Sequence, residues 1–127
     1  MNFRRFLTLK VRRNRRHQAC NDLFVILDNM PVRHQIYDIS TGGLSYHFIS
    51  RGHSPRLGTF SLKIAAKDNS ISLNLEGRTI VDRETGANVI GNQTIKRRSI
   101  RFEKMNSLQK KAIKRIIKDY TVKPSIF

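Results

Sequence analysis

The chain has 127 residues, which is the length of one ordinary domain and enough to bury a core without disulfides or metal ions. Apolar residues make up 39% of the sequence and aromatic residues 8%, which excludes a disordered chain. Lysine and arginine outnumber aspartate and glutamate by 25 to 9, and the net charge of +16 indicates an anionic partner: a nucleotide, a nucleic acid, an acidic lipid surface or an acidic protein.

The cysteine content and the hydropathy pattern indicate the cellular compartment. Cys20 is the single cysteine, so no internal disulfide can form and a reducing compartment is expected. The N-terminus lacks the apolar stretch of a signal peptide, and no segment approaches the roughly 20 apolar residues that span a membrane. We therefore expect a cytoplasmic protein.

The N-terminal segment is strongly basic. Residues 1–16 contain seven lysine and arginine side chains and no acidic one. Such a run predicts an arm rather than an element of the core. We expect the folded domain to comprise residues 17–122 and the last five residues, 123–127, to form a short tail.

Apolar residues recur after the arm in short runs that alternate with polar residues. A period of two is typical of half-buried strands, and many short strands with tight turns predict an antiparallel barrel or sandwich. Gly77, inside a long strand pattern, predicts a bulge or bend. The apolar positions are Leu23 to Leu27, Leu44, Tyr46, Phe48, Phe60, Leu62, Ile64, Ile71, Leu73, Leu75, Ile100 and Phe102.

The period changes after Met105, where the sequence predicts a helix over about 106–121. Asn106 is a suitable N-cap, and Gln109 lies three residues later, where a capping-box partner belongs. An apolar stripe at helical spacing faces the barrel, and lysine and arginine residues fill the other side. The stripe consists of Leu108, Ala112, Ile113, Ile116, Ile117 and Tyr120.

Two short segments contain the residues best suited to bind an anionic ligand. Residues 12–16 contain four arginines in five positions, and a guanidinium pairs two-pronged with phosphate oxygens and stacks on purine bases. Residues 38–43 follow a strand pattern: Asp38 can accept hydrogen bonds from a guanine edge, Ser40 can bond a phosphate or a base, and Gly43 allows close approach to the backbone. Taken separately, the segments also fit a generic polybasic arm and an Asx-type turn.

Together the two segments resemble the signature of the PilZ family, R-x-x-x-R followed some 20–30 residues later by [D/N]-x-S-x-x-G. Arg12 and Arg16 match its first part, and Asp38, Ser40 and Gly43 match its second. The similarity extends over residues 10–122. The sequence departs from the family at two positions outside the signature. His17 stands where an apolar residue is frequent, and Ser99 stands where the last strand often has glycine.

The resemblance implies a six-stranded antiparallel β-barrel with one C-terminal helix, in a bacterial receptor that binds cyclic di-GMP. Arg12 and Arg16 would grip phosphates and stack on guanines, and Asp38 and Ser40 would read a guanine edge beside Gly43. Arg13 and Arg15 would add contacts if a second, intercalated ligand binds. Rearrangement of the arm would pass the signal to a downstream protein partner.

Two other functions stay open at this point, and catalysis is not expected. The charge and the small β-rich fold also fit a nucleic-acid-binding barrel, although the phenylalanines lie mostly at core-like positions. A PilZ-like module that binds only another protein is the second alternative. The four histidines and one cysteine lack metal-ligand spacing, and the sequence contains no nucleophile elbow and no Walker motif. We therefore expect that the protein is not an enzyme and that it binds no cofactor and no metal ion.

Overall fold

The computed structural model describes residues 15–28, 30, 32–50, 58–88 and 93–123. Antiparallel strands dominate these ranges, and one helix follows them. The elements are β1 (His17–Gln18), β2 (Leu23–Leu27), β3 (Arg33–Ile39), β4 (Gly43–Ser50), β5 (Thr59–Ala66), β6 (Ser72–Asn88), β7 (Thr94–Glu103) and α1 (Ser107–Tyr120).

Six of the strands close into a barrel. Their order is β2, β5, β6, β7, β4, β3, and pairing of β3 with β2 completes the ring. The short β1 stays outside the ring and pairs with the last two residues of β3. The predicted barrel with one C-terminal helix is therefore confirmed.

The barrel interior is filled by the apolar side of each strand. In β5, Phe60, Leu62 and Ile64 are buried, whereas Ser61 is exposed and Lys63 is half-buried. The same alternation places residues of β2, β4, β6 and β7 in one continuous core. Its strand residues include Leu23, Val25, Leu27, Leu44, Tyr46, Leu75, Ile100 and Phe102.

The prediction of a bulge at Gly77 was wrong. Gly77 is in regular register, and the irregularity lies between Thr79 and Val81. A Cβ atom on Gly77 would lie 2.6 Å from Ile100 Cγ2 and 2.7 Å from Leu62 Cδ2. The glycine therefore leaves room for core side chains in a regularly paired part of the strand.

Helix α1 begins with the predicted capping box. The Gln109 N–H donates to the Asn106 side chain over 2.8 Å, and the Gln109 side chain accepts from the Asn106 N–H over 2.9 Å. Ile113 and Ile116 are buried against the barrel. The assignment of Leu108 to the buried stripe was wrong, since Leu108 is 76% exposed. The reciprocal cap engages Gln109 in the first turn, and its neighbour Leu108 faces outward.

The chain after α1 returns to the root of the arm. The Val122 N–H donates to the Gln18 carbonyl over 2.8 Å, and the Cys20 N–H donates to the Tyr120 carbonyl over 2.9 Å. The residues that follow the arm are therefore held between β3 and the end of the helix. Within the described ranges, the helix falls short of the length and hydropathy that a membrane crossing requires.

Candidate functional site

A bulge in β3 turns an acidic side chain away from the core. Ile36 pairs with Tyr46 and Asp38 pairs with Ser45, so Tyr37 is an extra residue between two regular pairs. Ile36 and Tyr46 point into the barrel, where both are buried. The extra residue places Asp38 beside Ser45 on the outward-facing side of the sheet, where neighbouring side chains cover both residues.

Three side chains surround the Asp38 carboxylate. Ser45 Oγ donates to Asp38 Oδ1 over 2.5 Å, and Arg97 Nη2 donates to Asp38 Oδ2 over 2.8 Å. Arg16 Nη1 makes a longer contact of 3.5 Å with Asp38 Oδ1. The Asp38 side chain is only 11% exposed. A nearly buried carboxylate needs such partners, because an unpaired charge would be costly to remove from water.

Strand β1 brings Arg16 to this position. His17 pairs with Ile39 and Gln18 pairs with Asp38, so β1 runs antiparallel to β3. Arg16 is the residue directly before this pairing. The Arg16 side chain is 43% exposed, and its contact with Asp38 is at the limit of a hydrogen bond. Arg16 is therefore positioned by backbone pairing, while its guanidinium stays accessible.

The second half of the motif forms the turn between β3 and β4. The Ser40 N–H donates to the Gly43 carbonyl over 2.8 Å, and Ser40 Oγ accepts from the Gly42 N–H over 3.2 Å. A Cβ atom on Gly43 would lie 2.2 Å from the Ile100 carbonyl oxygen in β7. Ser40 thus stabilises the turn, and Gly43 is required by the neighbouring strand.

One residue of the first predicted motif, Arg16, meets the second motif at the side of the β-barrel. Arg16 contacts Asp38, and Ser40 and Gly43 form the turn that follows. Arg15 is described and exposed. The remaining predicted residues, Arg12 and Arg13, lie outside the described part of the chain.

Sequence reasoning missed a group of side chains beside Asp38. The Arg97 guanidinium lies 4.6 Å from the centre of the Tyr37 ring, and the Tyr37 and His47 rings are 4.8 Å apart. The alternation of β7 contained the signal for Arg97: because Ile100 and Phe102 point inward, Arg97 points outward. Its pairing with Asp38 depends on the bulge in β3, and no pattern in the sequence predicts that bulge.

The neighbouring Arg98 points the other way, toward the end of the barrel core. It pairs with both Asp82 carboxylate oxygens at 2.8 and 3.1 Å and donates to the Tyr46 hydroxyl over 3.3 Å. Its guanidinium also lies 4.4 Å from the centre of the Phe48 ring. Burial raises the pKa of Tyr46 above its usual value near 10. Arg98 therefore satisfies interior polar groups and does not belong to the surface site.

Other potential sites are less developed. Among the residues that the structure describes, no three histidine, cysteine or acidic side chains lie together as a metal ion would require. A groove of about 530 Å³ runs over β2, β5 and β6, with Asp28, Lys63 and Glu76 among its lining residues. It contains none of the predicted site residues.

Neither the protein-family models nor the curated proteins include a match to this sequence. Solved structures do match. The PilZ domain of YcgR from Escherichia coli, determined with c-di-GMP, has a TM-score of 0.66 and 22% identity, over 86% of this chain and 90% of that one. A YcgR structure in complex with c-di-GMP has a TM-score of 0.63 and 22% identity, over 84% of this chain but 44% of the longer one.

Two further structures have the same fold at 15% identity. The inhibitor of motility MotI/DgrA of Bacillus subtilis has a TM-score of 0.55, over 84% of this chain and 48% of that one. PlzA of Borreliella burgdorferi, in complex with c-di-GMP, has a TM-score of 0.51, over 84% of this chain and 49% of that one. The chain therefore has the fold of a PilZ domain.

Proposed function

We propose that this chain is a receptor for cyclic di-GMP and acts by binding rather than by catalysis. The observation that carries the proposal is the contact between Arg16 and Asp38. These residues come from two motifs that lie 22 positions apart, and they meet on one surface of the barrel. An exposed guanidinium beside a carboxylate can bind a phosphate and a guanine edge of the same ligand.

The surroundings of this contact suit a purine nucleotide. The exposed Tyr37 ring and the His47 ring beside it offer flat surfaces next to the acidic group. Purines stack on such surfaces. The net charge of +16 favours a dianionic ligand over a neutral one. Structures of YcgR and PlzA that share the fold contain c-di-GMP.

Each residue of the two motifs then has a specific task. Arg12 and Arg16 would bind phosphates and stack on guanines, and Asp38 would accept from a guanine edge. Ser40 would bond the same base, beside Gly43. Additional contacts to a second ligand molecule would come from Arg13 and Arg15.

Calorimetric titration with cyclic di-GMP tests the proposal, with GMP and cyclic di-AMP as control ligands. We expect saturable heat with cyclic di-GMP and much weaker binding of both controls, since each control lacks either the second phosphate or the guanine edge. Absence of heat and of competition up to about a millimolar, which corresponds to about −4 kcal/mol, would refute it.

Variants of the arm locate the binding site. Arg16→Ala and Arg12→Ala should each weaken binding by about 2–5 kcal/mol, because each leaves a ligand phosphate without its partner. Arg115→Ala is the matched control, since Arg115 lies on α1 with its side chain 85% exposed. Unchanged affinity in either arm variant would contradict its phosphate contact. Loss of folding would instead assign the arm a structural function.

A nucleic-acid-binding barrel is the alternative that the charge suggests. Phe60 and Phe102 are buried and Phe48 packs against the core, so none of them forms an exposed stacking platform. The salt dependence of binding distinguishes the two functions. A polymer releases many counterions and its affinity falls steeply with salt, whereas a dinucleotide gives a shallow slope.

The signal would leave through the root of the arm. Gln18 and Cys20 are hydrogen-bonded to the chain around the end of α1, so a ligand that repositions Arg16 acts on residues in contact with the helix. A downstream protein would recognise the changed surface. Pull-down with and without cyclic di-GMP, using the wild-type protein and Arg16→Ala, tests this output. Capture of the same partner in the same amount under all four conditions would contradict it.

A further inference from the structure

Two arginines contact the Asp38 carboxylate, and the two contacts differ in strength. Arg97 approaches Oδ2 to 2.8 Å, whereas Arg16 approaches Oδ1 only to 3.5 Å. The Arg97 side chain is 32% exposed and that of Arg16 is 43% exposed. A charge-assisted hydrogen bond is strong near 2.8 Å and weak near 3.5 Å. The contact with Arg97 is therefore the durable one, and the contact with Arg16 is the exchangeable one.

Arg97 is itself fixed on several sides. Its backbone lies in the middle of β7, opposite His47 in β4 and Arg83 in β6. Its Nε donates to Ser45 Oγ over 3.3 Å, and Ser45 Oγ donates to Asp38 Oδ1. With the Arg97–Asp38 pair, these contacts close a ring of three side chains. Stacking on Tyr37 holds the guanidinium plane.

We propose that Arg97 is a positioning residue for guanine recognition, an inference that rests on the proposed binding of cyclic di-GMP. Arg97 sets the orientation of the Asp38 carboxylate, while Arg16 contacts that carboxylate only until the ligand arrives. Displaced from Asp38, Arg16 becomes available to a ligand phosphate. Specificity for guanine thus depends on an arginine outside both motifs.

The acceptor positions of Asp38 match this exchange. A carboxylate offers about four lone-pair positions, two on each oxygen. Ser45 and Arg16 contact Oδ1, and Arg97 contacts Oδ2. Counting the described residues, departure of Arg16 leaves roughly one position on each oxygen. Guanine presents two adjacent donors, N1–H and the N2 amino group, which require two acceptors side by side.

A double-mutant cycle with cyclic di-GMP as ligand tests the inference. Arg97→Gln should lower the affinity by about 10- to 100-fold, the range expected when a charged hydrogen bond is removed. Asp38→Ala should lower it at least as much. Because Arg97 acts through Asp38, the double variant should bind no more weakly than Asp38→Ala alone. Losses that multiply would show direct contact of Arg97 with the ligand and overturn the inference.

Matched variants separate positioning from charge and folding. Arg83→Gln removes one positive charge from the adjacent strand and should keep wild-type affinity. Arg97→Lys keeps the charge without the planar fork and should bind with an affinity between those of wild type and Arg97→Gln. It also replaces Arg97→Gln in the cycle if that variant does not fold. Wild-type affinity in either Arg97 variant would overturn the inference, whereas absence of binding by the wild-type chain would refute the proposed function.

Discussion

Replacing Gly43 by alanine should destabilise the barrel even without a ligand. The added Cβ atom would lie 2.2 Å from the Ile100 carbonyl oxygen and 3.3 Å from Arg101 Cα. An ordinary carbon–oxygen contact is about 3.3 Å, so β4 and β7 would have to separate locally by about 1 Å. Both contacted atoms belong to the backbone of a paired strand, and no side chain can rotate away to relieve the overlap.

The expected loss of stability follows from two opposing effects. Overpacking of this kind costs about 1–3 kcal/mol. Alanine restricts the unfolded chain, which offsets about 0.4–1 kcal/mol of that cost. The net decrease in the free energy of unfolding is therefore about 1–2 kcal/mol, or about 4–8 °C in the melting temperature for a domain of this size.

Thermal and urea denaturation of the ligand-free Gly43→Ala variant check this value. Ligand affinity should fall as well, because Gly43 closes the turn that contains Ser40. Gly58→Ala serves as control: its φ of 79° strains alanine, but the new Cβ has no atom of the described residues within 4 Å, its two chain neighbours aside. That variant should lose stability and keep affinity. A Gly43→Ala protein that keeps the wild-type melting temperature but does not bind cyclic di-GMP would refute the steric reasoning. The glycine would then be required by the ligand and not by β7.

Two other predictions concern the arm and the barrel core. Amide exchange over residues 10–16 should slow on addition of cyclic di-GMP, because the ligand supplies counter-charge to an arm without acidic residues; equal exchange in both states would rule out ordering by the ligand. Burial against Tyr46 and the charge of Arg98 lower the pKa of His34 below 6.5. The unfolded chain therefore binds more protons, and the free energy of unfolding should decrease as the pH falls below about 6.5. In His34→Gln, the free energy of unfolding measured by denaturation should depend less steeply on pH. A slope identical to that of the wild type would contradict the assignment of this pH dependence to His34.

The strands could be predicted because their signals are local, whereas the choice of a barrel over a sandwich came from the resemblance to the PilZ family. Several strands have apolar residues at every second position, as in Phe60, Leu62 and Ile64, and burial follows directly from that period. The helix start was predictable for the same reason, since the Asn106–Gln109 capping box needs only four consecutive residues. Leu108 was assigned wrongly because the stripe alone does not fix the rotation of the first turn against the barrel.

The arrangement of the site could be predicted only in part. The resemblance to the PilZ signature implied that Arg16 and Asp38 would serve the same ligand, and the structure places the two side chains in contact. The partnership of Asp38 with Arg97 joins residues 59 positions apart and depends on the extra residue Tyr37 in β3. A bulge changes the face on which every later residue of a strand lies, and period-two patterns do not reveal it.

The residues of the second motif already have structural tasks without a ligand. Asp38 neutralises Arg97, Ser40 stabilises the turn, and Gly43 makes room for the carbonyl of β7. A barrel that bound nothing could retain all three for stability alone. Arg16 differs, because its side chain is 43% exposed and its contact with Asp38 is long, at 3.5 Å. Loss of binding on substitution of Arg16, with stability unchanged, therefore separates a ligand site from a folding motif.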